Sequence, residues 1–150
     1  MNKYKFLIYF FPLLFCACRK DVPITSIEND IQKLYKLNEA KITITEGIAG
    51  TLTLKEGNCM PTDGPSTCKE YPVQRTIKIY KYTSTPPEDS TLIAATATDK
   101  DGFYQVQLQP SQYAVFIIEK GKLYGDYKYP AQVNSMKISK MNLRISYVVY

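Results

Sequence analysis

The chain has 150 residues, of which 19 are basic, 14 are acidic and 13 are tyrosine, and it lacks both histidine and tryptophan. A chain of this length suits one domain with its own core rather than two. Without histidine, the usual general base, the usual zinc ligand and the Ser-His or Cys-His nucleophile pairs are excluded. The basic residues behind the net charge of +5 are scattered along the chain, so the sequence predicts no nucleic-acid partner.

The first 17 residues have the layout of an export signal. Lys3 and Lys5 form a positive start, and ten apolar residues follow over positions 6–15. That stretch is too short to span a bilayer, but it has the length of a signal-peptide core. Removal of residues 1–17 leaves 17 basic and 14 acidic residues, which is a net charge of only +3.

The end of this segment, Ala17 followed by Cys18, resembles the lipobox of bacterial lipoproteins, in which a peptidase cuts before a cysteine that carries acyl chains. Phe15 and Cys16 occupy positions where the motif prefers leucine and a small residue. Cys16 is the competing attachment site, but the bulky Phe15 would then stand just before the cut. The resemblance implies a lipid anchor at Cys18 and a place in the cell envelope, at the outer membrane. A plain secreted protein and an uncleaved anchor helix are the alternatives.

Residues 18–40 are predicted to form a lipidated tether followed by a short amphipathic helix. Ile27, Ile31 and Leu34 recur at helical spacing on one face, which indicates a helix over residues 26–37. The opposite face carries both acidic and basic residues, so we expect the helix to pack on the body of the protein rather than lie in a membrane surface.

From residue 41 onward the apolar residues alternate with period two, which is typical of half-buried strands. The predicted strands lie near residues 42–44, 48–54, 77–80, 91–98, 104–108, 113–118, 133–138 and 143–149. Seven or eight short strands, with turn residues between them and no helical segment separating them, predict an all-β sandwich over residues 41–150.

The segment 99–102, Asp-Lys-Asp-Gly, is predicted to be a tight turn between two strands. Gly102 can adopt the positive φ that closes a short hairpin, and aspartate side chains accept hydrogen bonds from turn amides. The segment does not fit a calcium-binding EF-hand, because Phe103 and Gln105 stand where further oxygen ligands are needed.

Several of these segments resemble the carboxypeptidase regulatory-like domain. Residues 98–104 are similar to its T-D-x-x-G-x-[FY] hairpin, and residues 108–115 are similar to its L-x-P-G-x-Y-x-V strand. Upstream, residues 47–52 resemble its opening G-x-x-G-x-V strand, and residues 77–80 match the strand that usually follows. Ser111 departs from the pattern, since the family usually has glycine there. The resemblance covers roughly residues 45–120.

The resemblance implies a transthyretin-like β-sandwich, related to the Cna-B modules. Domains of this family commonly stand behind a lipobox in exported proteins of Bacteroidota. The family is not itself catalytic, and it serves as an accessory, structural or adhesive module. No functional residue of the family transfers to a position of this chain.

Cys59 and Cys68 remain after the predicted cleavage and bracket a turn-rich stretch. In an exported protein such a pair is expected to form a disulfide. A metal site needs more than two thiolate ligands, and the spacing is not that of a redox C-x-x-C pair. The resulting loop is predicted either to stabilise a long connection or to serve as a recognition surface.

No motif in the sequence indicates catalysis. Glu88 and Asp89 stand beside two prolines in a loop, and nothing marks a pair of carboxylates that face each other across a cleft. No G-x-S-x-G elbow, S-x-x-K motif or phosphate-binding glycine loop occurs. We therefore predict a protein that is not an enzyme and that uses neither a cofactor nor a metal.

The tyrosines are a better indication of binding. Tyr80 and Tyr82 are predicted to project from one face of a strand, and Tyr124, Tyr127 and Tyr129 crowd a later loop. Exposed tyrosine suits protein or glycan contacts because it offers a flat apolar ring and a hydroxyl. The alternative is that these side chains cover the core.

The sequence thus predicts a membrane-anchored exported lipoprotein that acts as a non-catalytic structural or binding module. Its expected partners are membrane lipid and an envelope protein or glycan. One alternative is a polymerising, pilin-like or adhesive subunit that donates its last strand to a neighbour. Another is a cryptic hydrolase.

Overall fold

The computed structural model describes residues 24–60, 66–82, 92–119, 122–123 and 129–149. These residues form a two-layer β-sandwich with a helix against it, and the predicted all-β sandwich is confirmed. Their elements are α1 (Ile24–Glu39), β1 (Gly47–Asn58), β2 (Lys69–Pro72), β3 (Thr76–Lys81), β4 (Leu92–Ala97), β5 (Phe103–Gln107), β6 (Ser111–Glu119), β7 (Lys122–Leu123), β8 (Tyr129–Val133), β9 (Ile138–Lys140) and β10 (Leu143–Val149).

The first sheet is organised around the long strand β1. The first half of β1 pairs antiparallel with β5 and parallel with β9, and its second half pairs antiparallel with β2 and parallel with β10. Gly50 lies between the two halves, where a Cβ atom would collide with the backbone carbonyl of Met141. The absence of a side chain there allows the link between β9 and β10 to pass close to β1.

The second sheet has the order β4-β3-β6, with β7 and β8 paired to β6 on the side away from β3. The central strand β6 is buried on both faces from Tyr113 to Ile117, in agreement with its continuous run of apolar residues. Its inward residues face the first sheet, while Ala114 and Phe116 on its outer face form a small second cluster with Tyr80.

The main core lies between the two sheets and draws on both. The aliphatic side chains that are fully enclosed there are Ile48, Leu52, Ile77, Ile79, Val115, Ile117, Val133, Leu143 and Ile145. Each such side chain contributes roughly 1.5–3 kcal/mol relative to an exposed position. Tyr104 is enclosed with them, and its hydroxyl donates to the carbonyl of Met141 at 2.7 Å.

The predicted turn at residues 99–102 is confirmed. Gly102 has a φ of 70°, and the Asp99 carboxylate accepts hydrogen bonds from the amides of Asp101 at 2.8 Å and Phe103 at 2.9 Å. The turn is also tied to the centre of β1, because the amide of Leu52 donates to the Gly102 carbonyl at 2.8 Å. It therefore anchors the passage of the chain from the second sheet to the first.

Two predicted strands are wrong in detail. Residues 42–44 form no strand, because the side chain of Gln105 holds both the amide and the hydroxyl of Thr43, at 3.0 and 2.8 Å. The strand predicted over residues 133–138 is divided between β8 and β9 by a turn in which Met136 has a φ of 56°. The helix runs two residues further at each end than the predicted 26–37.

We expect the last strand to be essential to the core. Replacement of Ile145 by alanine removes a fully enclosed side chain of β10 and is expected to lower the free energy of unfolding by about 2–5 kcal/mol. Ile93→Ala is the matched control, because Ile93 is half exposed on β4 and its loss is expected to cost about 1 kcal/mol or less. Chemical denaturation measures both values, and equal losses would contradict the placement of β10 in the core.

Candidate functional site

The predicted anchor residue Cys18 and its competitor Cys16 lie outside the described residues. The predicted disulfide is confirmed: Cys59 and Cys68 are bonded, with their Cα atoms 4.6 Å apart. The bond closes the connection between β1 and β2. Hydrogen bonds cross the same connection, from the amide of Asn58 to the Thr67 hydroxyl at 2.9 Å and from the Ser66 hydroxyl to the Asn58 carbonyl at 3.2 Å.

The helix α1 lies across the face of the first sheet that is turned away from the core. In the helix, Ile31 is buried, and Ile27 and Leu34 are half-buried. The predicted apolar face of the helix is therefore the face that packs on the sheet. The first half of the helix borders a cavity of about 120 Å³ together with Lys55 and Cys68. The beginning of α1 therefore lies at the end of the sandwich that carries the disulfide.

The second half of α1 reaches the opposite part of β1. The side-chain amide of Asn38 donates to the Thr51 hydroxyl at 3.0 Å and to the Asp101 carbonyl at 2.9 Å. The carboxylate of Glu39 is paired with Lys140, at 2.9 Å. Since Lys140 lies beside Ala49, the helix runs in the direction opposite to β1.

The contact between helix and sheet is polar as well as apolar. Thr53 is fully buried and donates its hydroxyl to the Glu70 carboxylate at 2.8 Å. Arg144 donates to the same carboxylate at 2.9 Å, and the Glu70 side chain is only 5% exposed. The buried carboxylate of Glu70 thus keeps both a cation and a hydroxyl group as partners on this face of the sheet.

Lys41, two residues after the end of α1, ties the helix to the predicted turn. Its ammonium group lies 2.7 Å from the Asp101 carboxylate and 3.1 Å from that of Asp99, and 5.7 Å from the centre of the Phe103 ring. The hydrogen bond to Asp101 raises the pKa of Lys41, against a lowering by burial. Burial alone raises the pKa of Asp99, but hydrogen bonds from the Phe103 amide and from Lys41 hold it below its ordinary value. Thus the chain supplies its own cation to this pair of carboxylates.

An open cleft of about 310 Å³ lies on the outer face of the second sheet. Tyr82, Gln112 and Gln132 line it, and Pro130 and the backbone around Tyr113 complete it. Gln112 and Gln132 stand directly opposite each other on β6 and β8. The amide of Tyr82 donates to the Gln112 carbonyl at 3.0 Å, which places Tyr82 beside Gln112 on the other side.

The tyrosines that suggested a binding surface have different environments. Tyr80 is buried and packs edge-to-face on Phe116, with ring centres 5.5 Å apart, so it covers apolar surface. Tyr82 is 44% exposed at the cleft. Tyr129 is half-buried, and its hydroxyl donates to the Arg144 carbonyl at 3.2 Å. Tyr124 and Tyr127 lie outside the described residues.

The cleft and the beginning of the helix lie at opposite ends of the sandwich. Gly47, at the start of β1, pairs with Gln107 and Ile138. A short link joins Gln107 to the start of β6, and another joins the end of β8 to Ile138. The start of β6 and the end of β8 form the cleft, so the cleft lies at the same end of the sandwich as Gly47. From Gly47 to Lys55, beside the first half of α1, β1 extends about 26 Å.

Within the described ranges, no helix is long and apolar enough to cross a membrane. In the same residues, no cluster of three or more cysteine, aspartate or glutamate side chains is placed to hold a metal ion. Comparison of the chain with protein-family models, with curated proteins and with solved structures gives no match in any of the three.

Reduction of the disulfide is expected to destabilise the protein by roughly 2–3 kcal/mol, because the closed loop no longer restricts the unfolded chain. Urea unfolding with and without a reductant measures the difference. The double variant Cys59→Ser with Cys68→Ser is the control, and its unfolding midpoint is expected to be insensitive to the reductant. An unchanged midpoint in the native protein would contradict a stabilising role.

The link through Lys41 is expected to give the protein a characteristic pH dependence of stability. The contribution of Asp99 is present above its ordinary pKa of 3.8 and is lost as the pH falls through its lower folded value. The contribution of Lys41 is complete below 10.5 and is lost as the pH rises through its higher folded value. The stability difference between the native protein and Lys41→Met should therefore be largest between these limits and shrink outside them. A difference that stays constant from acid to alkaline pH would refute the link.

Proposed function

We propose that the protein is an exported lipoprotein, anchored through Cys18, that serves as a non-catalytic structural or binding module of the cell envelope, at the outer membrane. One observation carries the proposal: the helix that follows the predicted anchor starts at the end of the sandwich opposite the cleft. An anchor at that end leaves the cleft directed away from the membrane.

The length of chain between anchor and helix supports this arrangement. Five residues lie between Cys18 and Ile24, the first residue of α1. Even fully extended, the six Cα–Cα steps from Cys18 to Ile24 reach only about 20 Å. The end of the sandwich with the Cys59–Cys68 bond is then held close to the lipid surface. The sandwich itself, docked on α1, extends outward from it.

The disulfide supports an exported location, since such bonds form and persist in oxidising compartments. The two-sheet architecture supports the proposed relation to the carboxypeptidase regulatory-like domains and their transthyretin-like sandwich. The turn at residues 99–102 is built from the residues that carry that resemblance. On this proposal the sandwich is an accessory module rather than a catalytic one.

Two features favour a module over the alternatives. The last strand pairs with β1 of its own chain from Leu143 to Val149, and its inward side chains fill the core, so donating it to a neighbour requires opening the sandwich. The carboxylates of Asp99 and Asp101 are both bound by Lys41, and that of Glu119 is bound by Arg75. Carboxylates held in this way are poorly suited to a hydrolase, which needs them free to exchange protons and contact substrate.

The anchor is tested with Cys18→Ala in a bacterial host supplied with a labelled fatty acid. Labelling is expected to disappear, and the protein is expected to leave the membrane fraction, because the acyl chains no longer hold it there. Cys16→Ala is the matched control and should keep both label and membrane association. Persistent labelling of Cys18→Ala, or loss of label only in Cys16→Ala, would show that the proposed site is wrong.

A further inference from the structure

We propose that the cleft formed by Tyr82, Gln112 and Gln132 binds a neutral oligosaccharide. The inference deepens the proposed function, since it names the ligand class of the surface that an anchor at Cys18 directs away from the membrane. The binding step itself depends only on the cleft and can be measured separately from the anchor.

The side chains that line the cleft have the chemistry of a ligand rich in hydroxyl groups. Tyr82 is 44% exposed, and its ring provides a flat apolar surface on which the C–H face of a sugar ring can lie. The side-chain amide of Gln112 provides donors and an acceptor. That of Gln132 donates one hydrogen bond to the Val133 carbonyl, at 3.1 Å, and keeps a second donor and its acceptor oxygen. A hydroxyl group also donates and accepts, so it can be satisfied by either end of an amide.

The three side chains form a row across neighbouring strands. Gln112 is the direct partner of Gln132, and Tyr82 stands on the other side of Gln112. With strands about 4.8 Å apart, the row is about 10 Å long. Gln112 and Gln132 stand on paired strands, and Tyr82, one residue beyond the end of β3, is held to Gln112 by its backbone amide. Little ordering of the backbone is therefore needed on binding, and this favours an extended ligand that lies across the strands.

The charge of the site argues for a neutral ligand. Among the described residues that line the cleft, the side chains are tyrosine, glutamine, proline and alanine, and none carries a formal charge at neutral pH. An acidic oligosaccharide would have to give up water without gaining a cation as a partner. The volume of about 310 Å³ lies at the small end of the range for ligand sites, and it suits one or a few sugar rings.

The backbone of the site argues against a peptide. Peptides that bind to sheets do so mainly by adding a strand to a free edge. Here the cleft lies over β6, whose residues Gln112 and Tyr113 pair with β8 on one side and with the end of β3 on the other. The main-chain groups of these two residues are already used, so a ligand that lies over β6 has to be recognised there by side chains.

The test uses the full-length chain, purified from whichever fraction of the host contains it, in a detergent without a sugar headgroup. Isothermal titration calorimetry is performed with three neutral probes: maltohexaose, cellohexaose and chitohexaose. The acidic counterpart is an oligomer of galacturonic acid, and the peptide probe is an uncharged peptide of similar length. We expect saturable binding of at least one neutral probe and weaker binding of the acidic oligomer and of the peptide.

Substitutions in the row of side chains show whether the oligosaccharide binds there. Tyr82→Ala should weaken the affinity about tenfold through loss of the stacking surface, while Tyr82→Phe should retain most of it. Gln132→Leu, which keeps the size but removes the amide, should also weaken binding. Tyr71→Ala is the matched control, because Tyr71 is a similarly exposed tyrosine on β2, near the other end of the sandwich, and its loss should leave the affinity unchanged.

Three outcomes would overturn the inference. They are an absence of binding to all three neutral probes, full affinity in both Tyr82→Ala and Gln132→Leu, and a preference for the acidic oligomer or the peptide. Thermal unfolding of each variant shows whether it is folded. The fatty-acid labelling of Cys18 is a separate measurement, so failure of the ligand proposal and failure of the anchor proposal give different results.

Discussion

All four other strands of the first sheet are hydrogen-bonded to one strand, β1. Because β1 has neighbours along both edges, it lies inside the sheet, and its two faces meet different surroundings. On the inner face, Ile48 and Leu52 enter the core. On the outer face, Thr51 and Thr53 are equally buried but polar, and they meet the helix and the Glu70 carboxylate. The same strand thus joins an apolar core to a polar docking surface.

That polar surface explains why α1 has a defined position. An apolar helix on an apolar sheet can slide, since the burial of apolar surface has no direction. The hydrogen bonds of Asn38 to Thr51 and to the Asp101 carbonyl, and the ion pairs of Lys41, fix the end of the helix against the centre of β1. The direction of the helix, and with it the end of the sandwich from which an anchor would leave, follows from these contacts.

The sequence was informative where structure depends on near neighbours. Alternation was enough for β3, β5 and β10, and Gly102 marked the turn. The disulfide was predicted from an export signal together with two cysteines that bracket a turn-rich stretch. The sequence failed where a distant side chain decides the outcome. Thr43 has the neighbours of a strand residue but is held by Gln105 instead. The short strand β2 has too few residues to show a period, and a cation for Asp99 and Asp101 comes from a residue about 60 positions earlier.

The candidate site shows the same limit. Tyr80 and Tyr82 looked alike in the sequence, and only the structure separates a ring buried on Phe116 from one exposed at a cleft. Gln112 and Gln132 carried no signal, because isolated glutamines on strands are ordinary surface residues. They become a site only because β6 and β8 bring them together in register beside Tyr82.

The parallel pairing of β1 with β10 also has a consequence for the order of events during folding. The amide of Thr51 donates to the side chain of Asn142, 91 positions away, and β10 closes one side of the core. Contacts of such large sequence separation form slowly, because a long loop must close before they contribute. A nascent chain therefore has no complete interior until β10 has been synthesised.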